Sequence, residues 1–564
     1  MQAMQPIQQR KIRLMRKNLT LAILLSVGLS GCIDTEFETS ANMSKQPTNT
    51  VSTEQGVLEG TWSKTDPDIG VFRGVAYAQP PVGELRWREP QDLASWRGVR
   101  QAQEFGAACW QSYSEDAFVW SRGEFPRSED CLHLNVWQAQ KTSVAAPVMV
   151  WFHGGAHTGG FAHVELFDGT ELARQGVVVV TVNYRLGPWG FLAHPALAEE
   201  SEHNSAGNYG LMDKIAALKW VQKNIQGFGG DPDNVTIFGQ SAGSSSVCAL
   251  MASPLTSGLF HKAIGQSAAC LAKEKRDANG QERGVRLTTL ALGKLASQES
   301  ATKVTAKQLR SIDNEALLSA MQTSDWSAGS RIVVDGWVLP EAPLDVFNAN
   351  RQAKVPLLVG SLANEGHELL PLNNALTEAE LDQYLSKTFV DSAPKLKALY
   401  AEDLAISPGM ALREILTDAF MAMSMRSWAQ YNHNADQPTY LYYMDYVPPA
   451  YQIYLFNEPD LNLPNGPRSA GAYHSGDLAF VFNNVGKNGD FWLEEDLSMA
   501  RTMSGYWTNF AKTGNPNGAN LPNWASYEPQ GHNTQLLSKQ VRTIAGAKRE
   551  KLDLLAQRYQ AKKK

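Results

Sequence analysis

The feature that most constrains the fold is a short apolar strand that runs into a sharp turn of small residues. Residues 235–238 are apolar or β-branched, Gly239-Gln240-Ser241-Ala242-Gly243 is a G-x-S-x-G turn, and small and apolar residues continue to Met251. A serine on a strand-to-helix turn is held in a strained backbone with its hydroxyl exposed, and the glycines let the strand and helix approach. Because the pentapeptide alone is weak evidence, the rest of a nucleophilic site must be sought elsewhere in the chain.

Apolar runs that alternate with helical patterns predict the architecture around this turn. The runs lie at residues 147–152, 177–182, 235–238, 355–359 and 439–443. Helical spacing of apolar residues appears between them, for example over 211–225, and again in the amphipathic C-terminal segment 548–564. Strands that alternate with helices predict an α/β protein with a central, mostly parallel sheet and helices on both faces.

Length and charge narrow the classes of partner. The chain has 564 residues, of which 43% are hydrophobic, which is enough for a large core in one α/β domain with long insertions. The net charge is -6, and the first 31 residues hold five basic residues and no acidic one, so the rest of the chain is more acidic still. This balance argues against nucleic acid or an anionic membrane surface as the main partner.

The N-terminus has the pattern of an export signal. Basic residues up to Lys17 precede an apolar stretch at 21–29, which is too short to span a bilayer and ends in Leu29-Ser30-Gly31-Cys32. That ending resembles the lipobox of bacterial lipoproteins, in which the cysteine is lipidated. Ile33, rather than an aspartate, follows the cysteine, and by resemblance to Gram-negative lipoprotein sorting this does not favour retention in the inner membrane. The expectation is an outer-membrane anchor with a periplasmic or surface-facing body. The alternative is an ordinary cleaved signal peptide and a secreted or periplasmic soluble protein.

This pattern predicts that the chain is divided into three parts. Residues 1–31 are the predicted signal peptide, and residues 32–54 are the lipidated cysteine and a polar, flexible tether without apolar periodicity. No comparable linker appears further on, so residues 55–564 are expected to form a single domain. The lipid on Cys32 would be its only membrane contact.

The cysteine count fits an oxidising compartment. The chain has five cysteines, which are Cys32, Cys109, Cys131, Cys248 and Cys270. If Cys32 carries lipid, an even number remains, and three pairings are possible. The sequential pairing, Cys109–Cys131 and Cys248–Cys270, closes two local loops of similar length. Reduced, buried thiols are the alternative, above all for Cys248.

A serine nucleophile needs a histidine base, an acid that orients it, and donors for the oxyanion. The strand at 147–152 runs into the glycine-rich segment 153–160, His-Gly-Gly-Ala-His-Thr-Gly-Gly. Such a turn can offer backbone N–H groups, here those of Gly155 and Ala156, which would be joined by the amide of Ala242. No metal-ligand cluster is visible in the sequence, and this chemistry requires no metal or cofactor.

Several separated motifs, in order, resemble the type-B carboxylesterase/cholinesterase family of α/β-hydrolases over roughly residues 56–527. They are FRGVAYAQPPVGELRW (72–87), SEDCLHLNVW (128–137), VMVWFHGGAHTGG (148–160), VNYRLGPWGFL (182–192), GNYGLMDKIAALKWVQKNIQGFGGDPDNVTIFGQSAG (207–243) and HSGDLAFVF (474–482). The resemblance implies the α/β-hydrolase fold with large loop insertions.

The family order of catalytic residues is Ser, Glu, His. It assigns the acid to Glu365 in SLANEGHELL and the base to His474 in YHSGD, with Ser241 as nucleophile. The resemblance also implies the Cys109–Cys131 disulfide. It further suggests buried ion pairs and groups near the triad histidine, which would be Arg86–Glu129, Arg185–Asp213, Ser267 and Asp477.

The resemblance implies a serine carboxylic ester hydrolase that acts on uncharged, small-molecule esters through an acyl-enzyme. Gln240 replaces the glutamate that is usual before the nucleophile, so choline specificity is not supported. A lipase or polyester/aromatic-ester hydrolase is the alternative if the loop between Cys109 and Cys131 is a lid. Packing of its aromatic residues under the loop is equally plausible; they are Trp110, Tyr113, Phe118, Trp120 and Phe125. A non-catalytic, cholinesterase-like binding protein is a further alternative, and the oligomeric state stays open.

Overall fold

The computed structural model describes residues 48–113, 125–140, 144–271, 278–293, 304–328, 331–370, 372–449, 468, 470–486 and 492–561. Thr48–Lys564 form one compact unit, which begins before the predicted boundary at residue 55. Strand β1 (Thr50–Ser52) accounts for the difference, because it pairs antiparallel with β2 (Val57–Glu59) and buries Val51. The predicted signal peptide and Cys32 lie outside the described residues.

A large mixed sheet organises this unit. Its strands and those of two small sheets are, after β1 and β2, β3 (Thr61–Trp62), β4 (Ile69–Ala76), β5 (Val99–Gln101), β6 (Ala108–Cys109), β7 (Arg127–Ser128), β8 (His133–Ala139), β9 (Ala146–Phe152), β10 (Val178–Val182), β11 (Gly230–Gln240), β12 (Lys262–Gln266), β13 (Leu357–Leu362), β14 (Thr439–Met444), β15 (Asn533–Leu537) and β16 (Arg542–Ala545).

The large sheet has the order β3-β4-β8-β10-β9-β11-β12-β13-β14-β15-β16. Every pair from β10 to β15 is parallel, and the pairs at the two edges are antiparallel. Strands β1, β2 and β5 form one small sheet, and β6 pairs with β7 in another. The prediction of a mostly parallel central sheet is confirmed.

Helices connect the strands. In chain order they are α1 (Thr170–Arg174), α2 (Gly187–Phe191), α3 (Pro195–Glu200), α4 (Tyr209–Asn224), α5 (Ala242–Ala252), α6 (Ala278–Ala291), α7 (Ala306–Arg310), α8 (Asn314–Thr323), α9 (Pro343–Asn348), α10 (Gly366–Leu369), α11 (Glu378–Phe389), α12 (Ala393–Leu399), α13 (Ala401–Ile406), α14 (Pro408–Thr417), α15 (Met423–Asn434), α16 (Leu478–Val481), α17 (Glu494–Thr513) and α18 (Arg549–Ala561). A π-helical turn over Asp418–Ala422 joins α14 to α15.

The core lies on both faces of the large sheet. In β9, Val148 and Val150 pack in one apolar cluster with residues of α4, α5 and α15, whereas Met149 and Trp151 pack in a second cluster with residues of α1 and α17. All four side chains are fully buried. A parallel strand that is covered on both faces carries a continuous apolar run, which explains why β9 and β10 could be found from the sequence.

None of the helices within the described residues is both long enough and apolar enough to cross a membrane. The same part of the chain holds no group of three or more His, Cys, Asp and Glu side chains arranged to bind a metal ion.

Candidate active site

Ser241 lies between the end of β11 and the start of α5, at the carboxyl edge of the parallel strands. Its backbone has φ 55° and ψ -123°, a conformation that non-glycine residues rarely adopt and that stores roughly 1–3 kcal/mol of strain. The two flanking glycines make this turn possible. A Cβ on Gly243 would overlap the Phe152 carbonyl oxygen, and one on Gly239 would lie 2.6 Å from the carbonyl carbon of Gly243. The side chain of Ser241 is half-buried.

Glu365 and His474 meet although 109 residues separate them in the chain. The His474 Nδ1–H group donates to Glu365 Oε2 over 2.5 Å, and both side chains are buried. The other carboxylate oxygen, Oε1, accepts the backbone N–H of Leu362, the last residue of β13. Because both oxygens are bound, the carboxylate is fixed in orientation and holds the histidine ring with Nδ1 protonated.

Side chains beside Ser241 tie the serine turn to the histidine segment. Gln240 Nε2 donates to the His474 carbonyl oxygen over 2.8 Å, within a fully buried environment. On the other side, the Ser241 N–H donates to the Gln266 carbonyl oxygen, and Gln266 Nε2 donates to Asp477 Oδ2, each over 2.8 Å. The structure therefore brings the three predicted triad residues to one place.

The glycine-rich turn after β9 lies directly against the serine turn. A Cβ on Gly154 would be 3.1 Å from Ser241 Cβ. Gly155 and Ala156 adopt positive φ angles of 99° and 52°, and the N–H groups of Thr158 and Gly159 close the turn onto the Gly155 carbonyl oxygen. Within the described part of the chain, the amides of Gly155 and Ala156 donate to no other protein group, as suits groups that receive a ligand.

Ala242 supplies a third amide at the same place. It is the first residue of α5, and the first N–H groups of a helix have no partner within the helix. They also lie at the positive end of the helix dipole. The amides of Gly155, Ala156 and Ala242 can together receive a developing negative charge beside Ser241.

The turn after β9 contains two buried histidines, His153 and His157. Burial lowers the pKa of His153 to about 3 and lowers the pKa of His157 well below its usual value. His153 stacks on Tyr184 with ring centroids 4.4 Å apart, and His157 Nε2 lies 2.9 Å from Ser246 Oγ. Both imidazoles are therefore neutral near pH 7 and packed in the protein interior.

A second buried carboxylate lies near the triad. Burial raises the pKa of Asp477 to about 6, although hydrogen bonds from Gln266 and Tyr442 oppose the rise and the charge of Glu365 adds to it. Ser267, the other predicted neighbour of the histidine, is fully buried with φ 56°, and its N–H donates to the Gly360 carbonyl oxygen.

Both predicted disulfides form. Cys109–Cys131 and Cys248–Cys270 have Cα–Cα distances of 5.0 and 5.5 Å, so the alternative of reduced thiols does not describe this structure. The predicted ion pairs are also present. Arg185 and Asp213 are buried at a distance of 2.7 Å, and Arg86 contacts Glu129.

The aromatic loop is described in part. Trp110, Tyr113 and Phe125 are within the described residues, whereas Phe118 and Trp120 are outside them. The Arg127 guanidinium lies between the rings of Trp110 and Tyr113, at 4.4 and 4.0 Å from their centroids. Phe125 packs against Phe161, just beyond the turn after β9, with ring centroids 4.7 Å apart. This part of the loop is packed, although Tyr113 keeps 42% of its surface exposed.

The sequence did not predict the contacts of two residues with amide side chains at the site, Gln111 and Asn364. The Gln111 side chain hydrogen-bonds both backbone groups of Gly160. Asn364 accepts the Ala472 N–H at its side-chain Oδ1 and donates its backbone N–H to the Ala472 carbonyl oxygen. The only sequence signal was position, because Gln111 lies two residues after Cys109 and Asn364 immediately precedes Glu365.

The chain is similar to curated esterases along most of its length. The para-nitrobenzyl esterase of Bacillus subtilis (strain 168) is 34% identical over 509 residues, which cover 87% of this chain and 95% of that protein. The fumonisin B1 esterase of Sphingopyxis macrogoltabida is 34% identical over 492 residues, which cover 85% of this chain and 84% of that protein.

Solved structures agree as well. A structure of PNB esterase superposes with a TM-score of 0.73 at 31% identity and covers 90% of this chain and 99% of its own. The prediction of an α/β-hydrolase fold is thereby confirmed. A sequence profile of the carboxylesterase family matches residues 47–555, and with relatives this similar along most of their length, the chain belongs to the carboxylesterase family.

Proposed function

We propose that this protein hydrolyses uncharged carboxylic esters through an acyl-enzyme on Ser241, with His474 as general base and Glu365 as the acid that orients it. Ester hydrolysis by a serine hydrolase is the activity that its carboxylesterase relatives support. The observation that carries the assignment of residues is the buried Glu365–His474 hydrogen bond beside a strained serine, with Gln240 linking the two segments.

The reaction follows from this arrangement. His474 Nε2 takes the proton of Ser241 Oγ as the oxygen attacks the ester carbonyl carbon, and Glu365 stabilises the imidazolium that forms. The carbonyl oxygen gains negative charge and is received by the amides of Gly155, Ala156 and Ala242. His474 then protonates the leaving alcohol. A water molecule, deprotonated by the same histidine, releases the acid and restores Ser241.

The charges around the site favour an uncharged ester. The triad acid Glu365 and the neighbouring Asp477 are buried carboxyl groups, and His153 and His157, in the turn after β9, are neutral near pH 7. An anionic acyl group placed beside Ser241 would be repelled by the carboxylates without a compensating cation from those histidines. The relative named para-nitrobenzyl esterase acts, by its name, on esters of an uncharged aromatic alcohol.

A chain-length series of p-nitrophenyl esters tests the proposal. We expect hydrolysis by the wild type and a loss of about 10⁴-fold or more in kcat for Ser241→Ala. Ser245→Ala is the matched control, because Ser245 lies one turn further along α5 and is also half-buried. Equal hydrolysis by the wild type and Ser241→Ala would refute the mechanism.

One observation favours a lipase-like or aromatic-ester hydrolase as the second candidate. Tyr113 is exposed and its ring packs edge-on against Phe125, which lies next to the oxyanion turn. An aromatic rim of this kind suits large or insoluble esters. A jump in rate above the solubility limit of the substrate would support this candidate, whereas a rate that is flat across that limit would count against it.

We further propose that the protein is an exported lipoprotein, anchored through Cys32 in the outer membrane. The support is the sequence alone: a basic segment, a short apolar stretch and Leu-Ser-Gly-Cys, followed by Ile33. The Cys32→Ser variant should leave the membrane fraction and keep full activity on soluble esters. Unchanged partitioning of that variant into membranes would refute the anchor.

A further inference from the structure

We infer that Gln111 is a positioning residue for the oxyanion hole, which it braces against the Cys109–Cys131 disulfide. The inference rests on the function proposed above and adds a residue that the family resemblance did not assign. Gln111 is fully buried, although a side-chain amide is costly to bury unless it is hydrogen-bonded.

Both ends of the Gln111 amide are bound to the turn after β9. Its Oε1 accepts the Gly160 N–H over 2.7 Å, and its Nε2 donates to the Gly160 carbonyl oxygen over 2.9 Å. The side chain thus pairs with Gly160 as a neighbouring strand would. Two bonds to one residue fix both its position and its orientation.

Gly160 packs closely on the residues next to the oxyanion donors, so its position limits theirs. It has φ 103°, and a Cβ on it would lie 2.5 Å from His153 Nδ1 and 3.0 Å from the Gly154 carbonyl oxygen. The last residue of the turn is therefore packed against the first ones. Gly159, immediately before it, donates its N–H to the Gly155 carbonyl oxygen over 3.0 Å. A shift of Gly160 would move Gly154 and Gly155 relative to Ser241.

Gln111 is also bonded to the backbone of Cys109, one of the two disulfide cysteines. Nε2 also donates to the Cys109 carbonyl oxygen over 3.0 Å, and the Arg127 guanidinium donates to the Gln111 carbonyl oxygen over 2.6 Å. Cys109 and its partner Cys131 are both buried, and Cys131 lies two residues before strand β8. Nε2 thus links Gly160 to the backbone of Cys109, whose disulfide partner Cys131 leads directly into β8.

By holding the oxyanion donors in place, Gln111 stabilises the transition state of the reaction more than the bound ester. Donors that must meet a developing oxyanion lose most of their effect when they are displaced, whereas ground-state binding of the ester changes little. In the Gln111→Met variant, which keeps the length of the side chain and removes both hydrogen-bonding atoms, we expect kcat to fall about tenfold to a hundredfold with KM nearly unchanged.

The test compares kcat, KM and the affinity for a trifluoromethyl ketone, which forms an oxyanion on Ser241. Rates are given per active site, counted by the burst of an irreversible phosphonate, and Tm is measured on the same samples. We expect the inhibition constant of the ketone to rise by the factor by which kcat/KM falls. The exposed Gln101, changed to Met, is the matched control and should leave all four values unchanged.

Two results would overturn the inference. One is a value of kcat/KM per active site within twofold of the wild type. The other is an inhibition constant that stays unchanged while Tm and the active fraction fall, since that marks a purely structural role. Should Gln111→Met not fold, Gln111→Asn is measured in its place, because it keeps the amide but is too short to hold Gly160 and Cys109 together. A wild type without a phosphonate burst would instead refute the proposed function itself.

Discussion

At the residue scale, the position of His474 depends on amide side chains from two other segments. Gln240 holds the carbonyl oxygen of His474 itself. Asn364 donates its backbone N–H to the Ala472 carbonyl oxygen over 2.9 Å, and its side-chain Oδ1 accepts the Ala472 N–H over 3.0 Å. Amides can fix the histidine segment from both sides without adding charge to a site that already contains two buried carboxyl groups.

The Asn364 contact predicts a loss of activity on removal of its side-chain oxygen. Asn364→Leu keeps the size and loses the side-chain bond to the Ala472 N–H, whereas the backbone bond to the Ala472 carbonyl oxygen remains. The Glu365 and His474 segments are then joined here by one bond instead of two, which lets them shift relative to each other. We expect kcat to fall by about tenfold or more, because a shift of 1 Å in a catalytic group can cost about a hundredfold. Asn364→Asp keeps the acceptor and should retain more activity than Asn364→Leu, measured as kcat per titrated active site. Equal losses in the two variants would contradict the role of this bond.

Asp477 predicts a dependence of stability on pH. Its pKa is about 6 in the folded protein and about 4 in an unfolded chain, so the folded state binds the proton more tightly. Stability from this group is therefore present at low pH and is lost as pH rises from about 4 to 6. Asp477→Asn removes the effect, so its stability relative to the wild type should rise by about 2 kcal/mol between pH 4.5 and 7.5.

Urea unfolding at the two pH values measures this gain. Asp391→Asn is the control, because Asp391 is exposed and its replacement should give the same difference from the wild type at both values. An Asp477→Asn difference that is equal at pH 4.5 and 7.5 would show that Asp477 titrates in the folded protein as it does in the unfolded chain.

At the element scale, a buried ion pair joins the end of β10 to α4. Arg185 follows β10, and its guanidinium and backbone N–H all donate to the carboxylate of Asp213 in the first turns of α4. The side chains are 4% and 0% exposed, so neither charge can be hydrated if its partner is removed. The Arg185 guanidinium also donates to the Arg88 carbonyl oxygen, and none of these bonds reaches a proposed triad residue.

Removal of one partner should therefore affect stability and not chemistry. We expect Asp213→Ala to lower the free energy of unfolding by about 3–5 kcal/mol, because it leaves an uncompensated buried guanidinium. The control is Glu494→Ala in the exposed Glu494–Arg501 pair, which should change stability by less than about 1 kcal/mol. Both are measured by urea unfolding. A large fall in kcat per active site of folded Asp213→Ala would contradict the purely structural role.

The elements that could be predicted from the sequence are those with a continuous apolar run. The run at 147–152 is β9, and the run at 177–182 is β10, each within one residue of its predicted limits. Strand β12 was not predicted, although it lies in the middle of the sheet. Its sequence, Lys-Ala-Ile-Gly-Gln, has polar ends that are buried only because Lys262 reaches Asn234 and Gln266 joins the Asp477 network. Such contacts have no periodic signal.

The residues of the candidate site also fall into two groups, those with a signal in the sequence and those without one. Ser241, Glu365 and His474 lie in motifs that resemble those of the carboxylesterase family in sequence and order, and the structure brings them together. Gln111 and Asn364 act through single amide groups on backbone atoms 49 and 108 residues away. A glutamine or asparagine in a loop has many satisfactory partners, so only the folded structure could reveal which backbone each one holds.

At the scale of the whole molecule, the site and the N-terminal strand lie at opposite ends of β11. Gly227, three residues before β11, packs so closely on β1 that a Cβ there would be 2.7 Å from the Ser52 carbonyl oxygen. Ser241 follows the last residue of β11. Strand β11 has a register shift between Gly230 and Val235, and it pairs with β9 from Ala146 to Phe152, which spans roughly 20 Å at about 3.3 Å per residue. The start of the compact unit can therefore be altered without contact with the catalytic groups.

Two truncations exploit this separation. A variant that begins at Thr48 keeps β1, with Val51 buried and Asn49 bonded to the Thr61 carbonyl oxygen, and should match the full chain in stability and in kcat/KM. A variant that begins at Gly56 loses β1 and the bond from Glu54 N–H to Asn224 at the end of α4. Burial of one valine and a few hydrogen bonds contribute about 3 kcal/mol, so this variant should be less stable by that amount in urea unfolding.

The kcat/KM of the shorter variant at 25 °C should nonetheless stay within twofold of the full chain, because the strand is remote from Ser241. Equal stability of the two truncations would mean that residues 48–55 are a tether, whereas a selective loss of kcat/KM in the shorter one would mean that the two ends of β11 are coupled.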